Sequence, residues 1–86
     1  MITHVIDSHV GKKIRELRNL AGVSQTKLAE SLGMSFQQVQ KYETAANRVS
    51  ASRLFEIAGF FNVPIGVFFP DQEESTDRGE ISADEA

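Results

Sequence analysis

Residues 24–43 read Ser24-Gln-Thr-Lys-Leu-Ala-Glu-Ser-Leu-Gly-Met-Ser-Phe-Gln-Gln-Val-Gln-Lys-Tyr-Glu43, and this stretch decides the fold. Ser24 is a natural helix cap, and Leu28, Ala29 and Leu32 follow on one helical face. Gly33 ends that helix at a position where a left-handed residue costs least. Ser35 opens a second helix, and Gln38 three residues on completes a capping-box pattern. Val39 and Tyr42 are its inward positions. Two short helices therefore share one tight turn. Ala29 is small where they should cross, and Val39 is β-branched where the second packs on the first. Such a unit sets a crossing angle and leaves its second helix standing proud. That shape can enter the major groove of a duplex.

Upstream, Val10, Ile14, Leu17 and Ala21 recur along one face of a further helix. Asp7 or Ser8 can cap its start, and Gly22 stops it. Downstream, residues 44–49 have no periodicity and read as a loop. Ser50 caps a fourth helix with Leu54, Ile57, Ala58 and Phe61 on one face. Pro64 suits the first turn of a short fifth helix carrying Ile65, Val67 and Phe68. A strand over residues 60–69 is disfavoured because Pro64 and Gly66 interrupt it. The expected fold class is all-α, a five-helix bundle. Residues 1–8 form a flexible N-terminal arm, 9–70 the folded domain and 71–86 an acidic disordered tail. Beyond Pro70 only Ile81 is a sizeable apolar group, too little to offset ordering entropy.

The chain of 86 residues is long enough for one domain. It has no cysteine, which excludes disulfides and thiolate metal sites. No apolar run approaches the roughly 20 residues that span a bilayer. The N-terminus lacks the layout of a signal peptide. A soluble cytoplasmic protein with no membrane contact is expected. The net charge of −3 at first argues against nucleic acid, but its distribution is uneven. Asp71, Glu73, Glu74, Asp77, Glu80, Asp84 and Glu85 against Arg78 leave the tail at −6. Residues 1–70 hold Lys12, Lys13, Arg15, Arg18, Lys27, Lys41, Arg48 and Arg53 against five acids, a balance of +3. The folded part is mildly basic. The tail is either a plain solvated segment or a surface for a protein partner.

With Val39 and Tyr42 inward, stepping about 100° per residue sends Gln37, Gln40, Lys41 and Thr44 outward. Phe36, Gln38 and Glu43 fall on the flanks. Glutamine can pair bidentately with adenine, and lysine can reach guanine acceptors or a phosphate. These are also ordinary solvated helix residues, and it is the surrounding motif that assigns them a reading role. No catalytic constellation exists, so no enzyme and no cofactor are expected. His4 and His9 are too few for a metal site. Phe60, Phe61, Phe68 and Phe69 exceed what one small core holds, so one or two should form a dimer patch.

The ordered set of these features resembles the phage-repressor/Cro family of bacterial regulators, also called the xenobiotic-response-element family. The matching residues are Gly11-Lys-Lys-Ile-Arg-Glu-Leu-Arg18, Ser24-Gln25, Leu28-Ala29, Leu32-Gly33, Ser35, Val39, Glu43, Asn47-Arg48, Leu54, Ile57-Ala58, Val63-Pro64 and Phe68-Phe69. The resemblance covers residues 9–69. It implies a lambda-repressor-like five-helix fold, a homodimer on palindromic double-stranded DNA and transcriptional control in a bacterial or phage cytoplasm, at the nucleoid. It implies that Phe36, Gln37, Gln40 and Lys41 face base edges. Ser24, Gln25, Gln38, Thr44, Asn47 and Arg48 would then contact the backbone. Arg18 resembles the family arginine that pairs with the acid at Glu43 and lies near the DNA backbone. Phe36 departs from the glutamine or serine common there. It would contact a thymine methyl or pack on the scaffold. The rival reading is an antitoxin or adaptor, a protein-binding module on the same fold.

Overall fold

The computed structural model describes residues 4–71. Four α-helices are present: α1 Val5–Ala21, α2 Gln25–Leu32, α3 Phe36–Glu43 and α4 Ala51–Phe61. A 3-10 turn, Ile65–Phe68, follows. There is no strand among the described residues. The all-α class holds, whereas the expected fifth α-helix is a single 3-10 turn. Four residues that include Gly66, with Pro64 supplying the extended residue before them, cannot sustain α-helical hydrogen bonding. The tail expected to be disordered lies, except for Asp71, outside the described residues.

The helix ends follow a repeated local logic. Ser24, Ser35 and Ser50 each accept a hydrogen bond from the backbone N–H three residues on, at 3.0, 3.2 and 3.1 Å. The capping box at Ser35 is only half made, because Gln38 turns its side chain to Asn47 instead. At the other ends, Gly22, Gly33 and Asn62 adopt left-handed φ of 70°, 69° and 58°. In each case the next residue, Val23, Met34 or Val63, donates its N–H back into the helix. Each of these apolar residues is packed against the core, so one residue type closes the helix and the next anchors it. Replacing Ser35 by alanine should remove the α3 cap and cost about 1 kcal/mol. A thermal melt should show a fall of about 4–8 °C. An unchanged midpoint would mean that packing alone holds the α3 start.

The first helix corrects the sequence reading at both ends. It begins at Val5, capped by His4, whose Nδ1 accepts from the Ile6 N–H at 3.0 Å. Residues 5–8 are therefore helical and not part of a flexible arm. The reason is that Ile6 extends the apolar row by one turn and packs against the core. Neither Asp7 nor Ser8 is the cap, and Asp7 instead pairs with Arg48 at 3.0 Å. At the C-terminal end Ala21 is exposed, because the core stripe finishes at the partly buried Leu17.

The core is built from Val10, Ile14, Leu28, Ala29, Val39, Leu54, Ile57, Ala58 and Phe68. It draws on every element, with α1 in contact with α3, α4 and the 3-10 turn. Phe68 is completely buried, and the His9 ring donates from Nδ1 to its carbonyl at 3.1 Å. Of the surplus phenylalanines, Phe60 and Phe61 are half-buried and pack edge to face at 4.9 Å, and Phe69 is exposed.

Candidate nucleic-acid interface

The site is assembled around α3. Val39 buries one side of this helix, so the opposite side faces out. Gln37, Gln40 and Lys41 are all exposed there, with no side-chain hydrogen bond or ion pair among the described residues. Phe36 stands at the start of the same helix and is 41 % exposed. It is not buried in the scaffold. Its apolar ring is presented beside the amide-rich face.

Behind that face lies a buried ionic lock. Arg18 on α1 donates to Glu43 at the end of α3 from Nε at 2.7 Å and from Nη2 at 3.1 Å. Its Nη1 donates to the Val23 carbonyl at 3.0 Å. The Glu43 side chain is only 4 % exposed, so this is a desolvated, two-pronged pair. Gln25 at the start of α2 donates from Nε2 to the same carboxylate at 3.0 Å. One carboxylate therefore ties α1, α2 and α3 together. The consequence for Arg18 is a holding role, since three of its nitrogens are already engaged. Gln25 uses one Nε2–H in this bond and has a second that makes no hydrogen bond among the described residues.

An open groove of about 680 Å³ runs across this lock. It gathers Arg18, Ser24, Gln25, Gln40, Lys41 and Thr44, all singled out from the sequence, together with Arg15. Arg15 was missed. It lies three residues before Arg18 and so on the same face of α1, a spacing visible in the sequence. Arg15 and Lys41 have no acidic partner among the described residues, while Glu43 is neutralised by Arg18. The groove is thus a positive surface beside an amide-rich helix.

Of the remaining residues, Thr44, Asn47 and Arg48 follow the C-terminal end of α3, and Gln38 lies in its first turn. Thr44 donates from Oγ1 to the Gln40 carbonyl at 3.1 Å and finishes the helix. Gln38 reaches the Asn47 side-chain oxygen at 3.4 Å, and the Asn47 backbone N–H donates to the Lys41 carbonyl at 3.1 Å. Ala45, in a left-handed conformation, makes the bend that brings Asn47 back to α3. Arg48 is held by Asp7 through Nε alone, and its side chain is 74 % exposed. Among the described residues no group of histidines and acids could hold a metal ion. No helix there is long and apolar enough to cross a membrane.

A short helix pair with a glycine turn, an outward second helix and a basic groove beside it defines a helix-turn-helix DNA-binding domain. The chain belongs to the helix-turn-helix family of phage-repressor/Cro-type transcriptional regulators, whose model, described as Helix-turn-helix, matches residues 14–68. This is a family of regulators and not of enzymes. An HTH-type transcriptional regulator of Sinorhizobium medicae is 58% identical over 66 residues, 77% of this chain and 48% of that protein. The chain spans about half the length of the first curated relatives it matches. Among solved structures, the DNA-binding domain of BldD is 28% identical with a TM-score of 0.70, covering 81% of this chain and 100% of that one. The restriction-modification controller protein C.AhdI from Aeromonas hydrophila is 26% identical with a TM-score of 0.71, covering 77% of this chain and 100% of that one.

Proposed function

We propose that the chain is a sequence-specific double-stranded DNA-binding regulator, acting as a repressor, that sits as a dimer on a palindromic operator in a bacterial or phage cytoplasm. The observation that carries this reading is the outward face of α3. Gln37, Gln40 and Lys41 are exposed and unengaged there, while the Arg18–Glu43–Gln25 lock fixes the helix behind them. Side chains meant only for solvation need no such backing. In this reading α3 lies in the major groove and the amides address base edges. Phe36 meets a thymine methyl. Arg15, Ser24, Gln25, Asn47 and Arg48 meet phosphates on either side, and Arg18 acts through the lock.

Selection of binding sites from random duplexes tests the reading directly. It should return an inverted repeat with half-sites about one helical turn, or 10 base pairs, apart. Lys41→Ala and Gln37→Ala should each cost about 1–3 kcal/mol, confined to one operator position per half-site. A uniform loss on every sequence would reassign that residue to the backbone. Arg15→Ala should weaken all duplexes alike and flatten the salt dependence. If no duplex is shifted even at low salt, the DNA-binding reading fails.

A further inference from the structure

Most cations of the described residues are already paired with acids: Lys13 with Glu16, Arg18 with Glu43, Arg48 with Asp7 and Arg53 with Glu56. Lys12, Arg15 and Lys41 are exposed and have no ion-pair partner among the described residues. Arg15 and Lys41 line the α3 groove. Lys12 extends that charge along α1. His9, Lys12, Arg15 and Arg18 follow one another at intervals of three, so each side chain neighbours the next on the helix surface. The row starts where the chain leaves the fold. The His9 ring hydrogen-bonds the Phe68 carbonyl at 3.1 Å, and the described residues end shortly afterwards, at Asp71. The row finishes in the groove, at Arg18. Positive charge therefore joins the exit of the chain to the surface proposed for DNA.

We propose that the acidic segment beyond Asp71 lies back along this row and occupies the α3 groove in the absence of DNA, so that the chain carries its own competitor for the site. The inference deepens the proposed function and rests on its assignment of the groove to phosphates. Residues 72–86 hold Glu73, Glu74, Asp77, Glu80, Asp84 and Glu85 against Arg78, a balance of −5. Carboxylate and phosphate oxygens are acceptors of the same kind for arginine and lysine. The groove does not turn a carboxylate away. Glu43 is the one acid among its lining residues, and Arg18 holds it. Reach is not limiting either. Arg18 lies about 14 Å along α1 from His9. The segment, fully extended, spans up to about 50 Å. Each exposed ion pair is worth little by itself. Tethering supplies the rest. A segment linked beside its site acts at an effective concentration of about 1 mM, so a contact with a Kd of about 0.1 mM weakens DNA binding about tenfold. Salt releases the contact, because the screening length falls from about 10 Å at 0.1 M to about 3 Å at 1 M.

The test compares the full chain with a variant whose segment carries amides in place of carboxylates: Glu73→Gln, Glu74→Gln, Asp77→Asn, Glu80→Gln, Asp84→Asn and Glu85→Gln. Without DNA and at low salt, the NMR signals of Lys12, Arg15, Gln40 and Lys41 should differ between the two chains. The difference should vanish at about 1 M salt and should not depend on protein concentration. On the selected duplex the amide variant should bind about tenfold tighter. Combined with Arg15→Gln, the same neutralisation should gain about threefold or less, because one cation that holds the segment is gone. Coincident signals without DNA overturn the proposal. The segment is then solvated or kept for another protein, and any change in affinity is plain repulsion of the duplex. A difference that grows with concentration also overturns it, by placing the contact between copies. So does an undiminished gain in Arg15→Gln. If the signals differ but neither chain binds any duplex, the contact stands and the proposed function falls. If duplexes bind and the signals coincide, the reverse holds.

Discussion

Replacing Glu43 by alanine should destabilise the domain by about 3–5 kcal/mol, the usual consequence of removing one partner from a buried ion pair. The carboxylate is 4 % exposed and the Arg18 side chain 12 %, so the pair is largely screened from water although it borders the open groove. Alanine would leave a guanidinium tied to the Val23 carbonyl, with no counter-charge, inside the junction of three helices. Small domains hold about 5–10 kcal/mol in total. The variant should therefore be partly unfolded near physiological temperature, which denaturant titration would show. Arg18→Ala should behave similarly for the mirror-image reason. A loss below about 1 kcal/mol would place the pair with ordinary surface bridges and refute the buried lock.

The double variant Arg18→Met with Glu43→Leu separates two roles. Well-packed apolar replacements for a buried pair are often neutral or stabilising. Most of the lost stability should return. The carboxylate that holds Gln25 would still be gone, so DNA affinity should stay reduced in the restored fold. Recovery of both stability and affinity would show that Gln25 needs no positioning.

Gly11→Ala is expected to be the other large effect, about 3 kcal/mol of destabilisation and a melting point lower by roughly 12–24 °C. A Cβ on Gly11 would overlap the Tyr42 carbonyl oxygen and come within 2.8 Å of the Glu43 carbonyl oxygen. Both atoms are backbone, in the last turn of α3, and no rotamer change can move them. The gain in helix propensity, about 1 kcal/mol, is too small to compensate. Gly59→Ala is the control. With open space around it, the dilute chain should gain about 0.5–1 kcal/mol. Equal effects at the two positions would mean that α1 and α3 do not approach as described.

These effects trace the boundary between what could and could not be read from the residues alone. The caps at Ser24, Ser35 and Ser50 and the stops at Gly22 and Gly33 depend on partners within five positions. Their chemistry is local, and they were legible. The periodicity of α2, α3 and α4 was legible for the same reason, as was the outward set Gln37, Gln40 and Lys41. The first turn of α1 was obscured because Asp7 and Ser8 are stronger capping types than His4. The final turn was over-read because an apolar run beside Pro64 does not distinguish an α from a 3-10 helix. Arg15 was overlooked although its spacing from Arg18 was visible.

By itself the sequence determined the helix boundaries to within a few residues, the turn at Gly33 and the identity of the unit from Gln25 to Thr44. The opening stretch alone carries that much, because capping, left-handed turns and helical periodicity act over a few neighbouring residues. Only the tertiary structure decided that Gly11 is where α1 meets the backbone of α3. Only it engaged Gln25 with Glu43, added the Val23 carbonyl to the Arg18–Glu43 pair that the family resemblance implied, and left Gly59 bare. Apart from the bond to Val23, those contacts join residues 18 to 32 positions apart, or depend on what is missing from a surface. They are settled by the angle and depth at which the helices cross, and the packing of the whole core sets both.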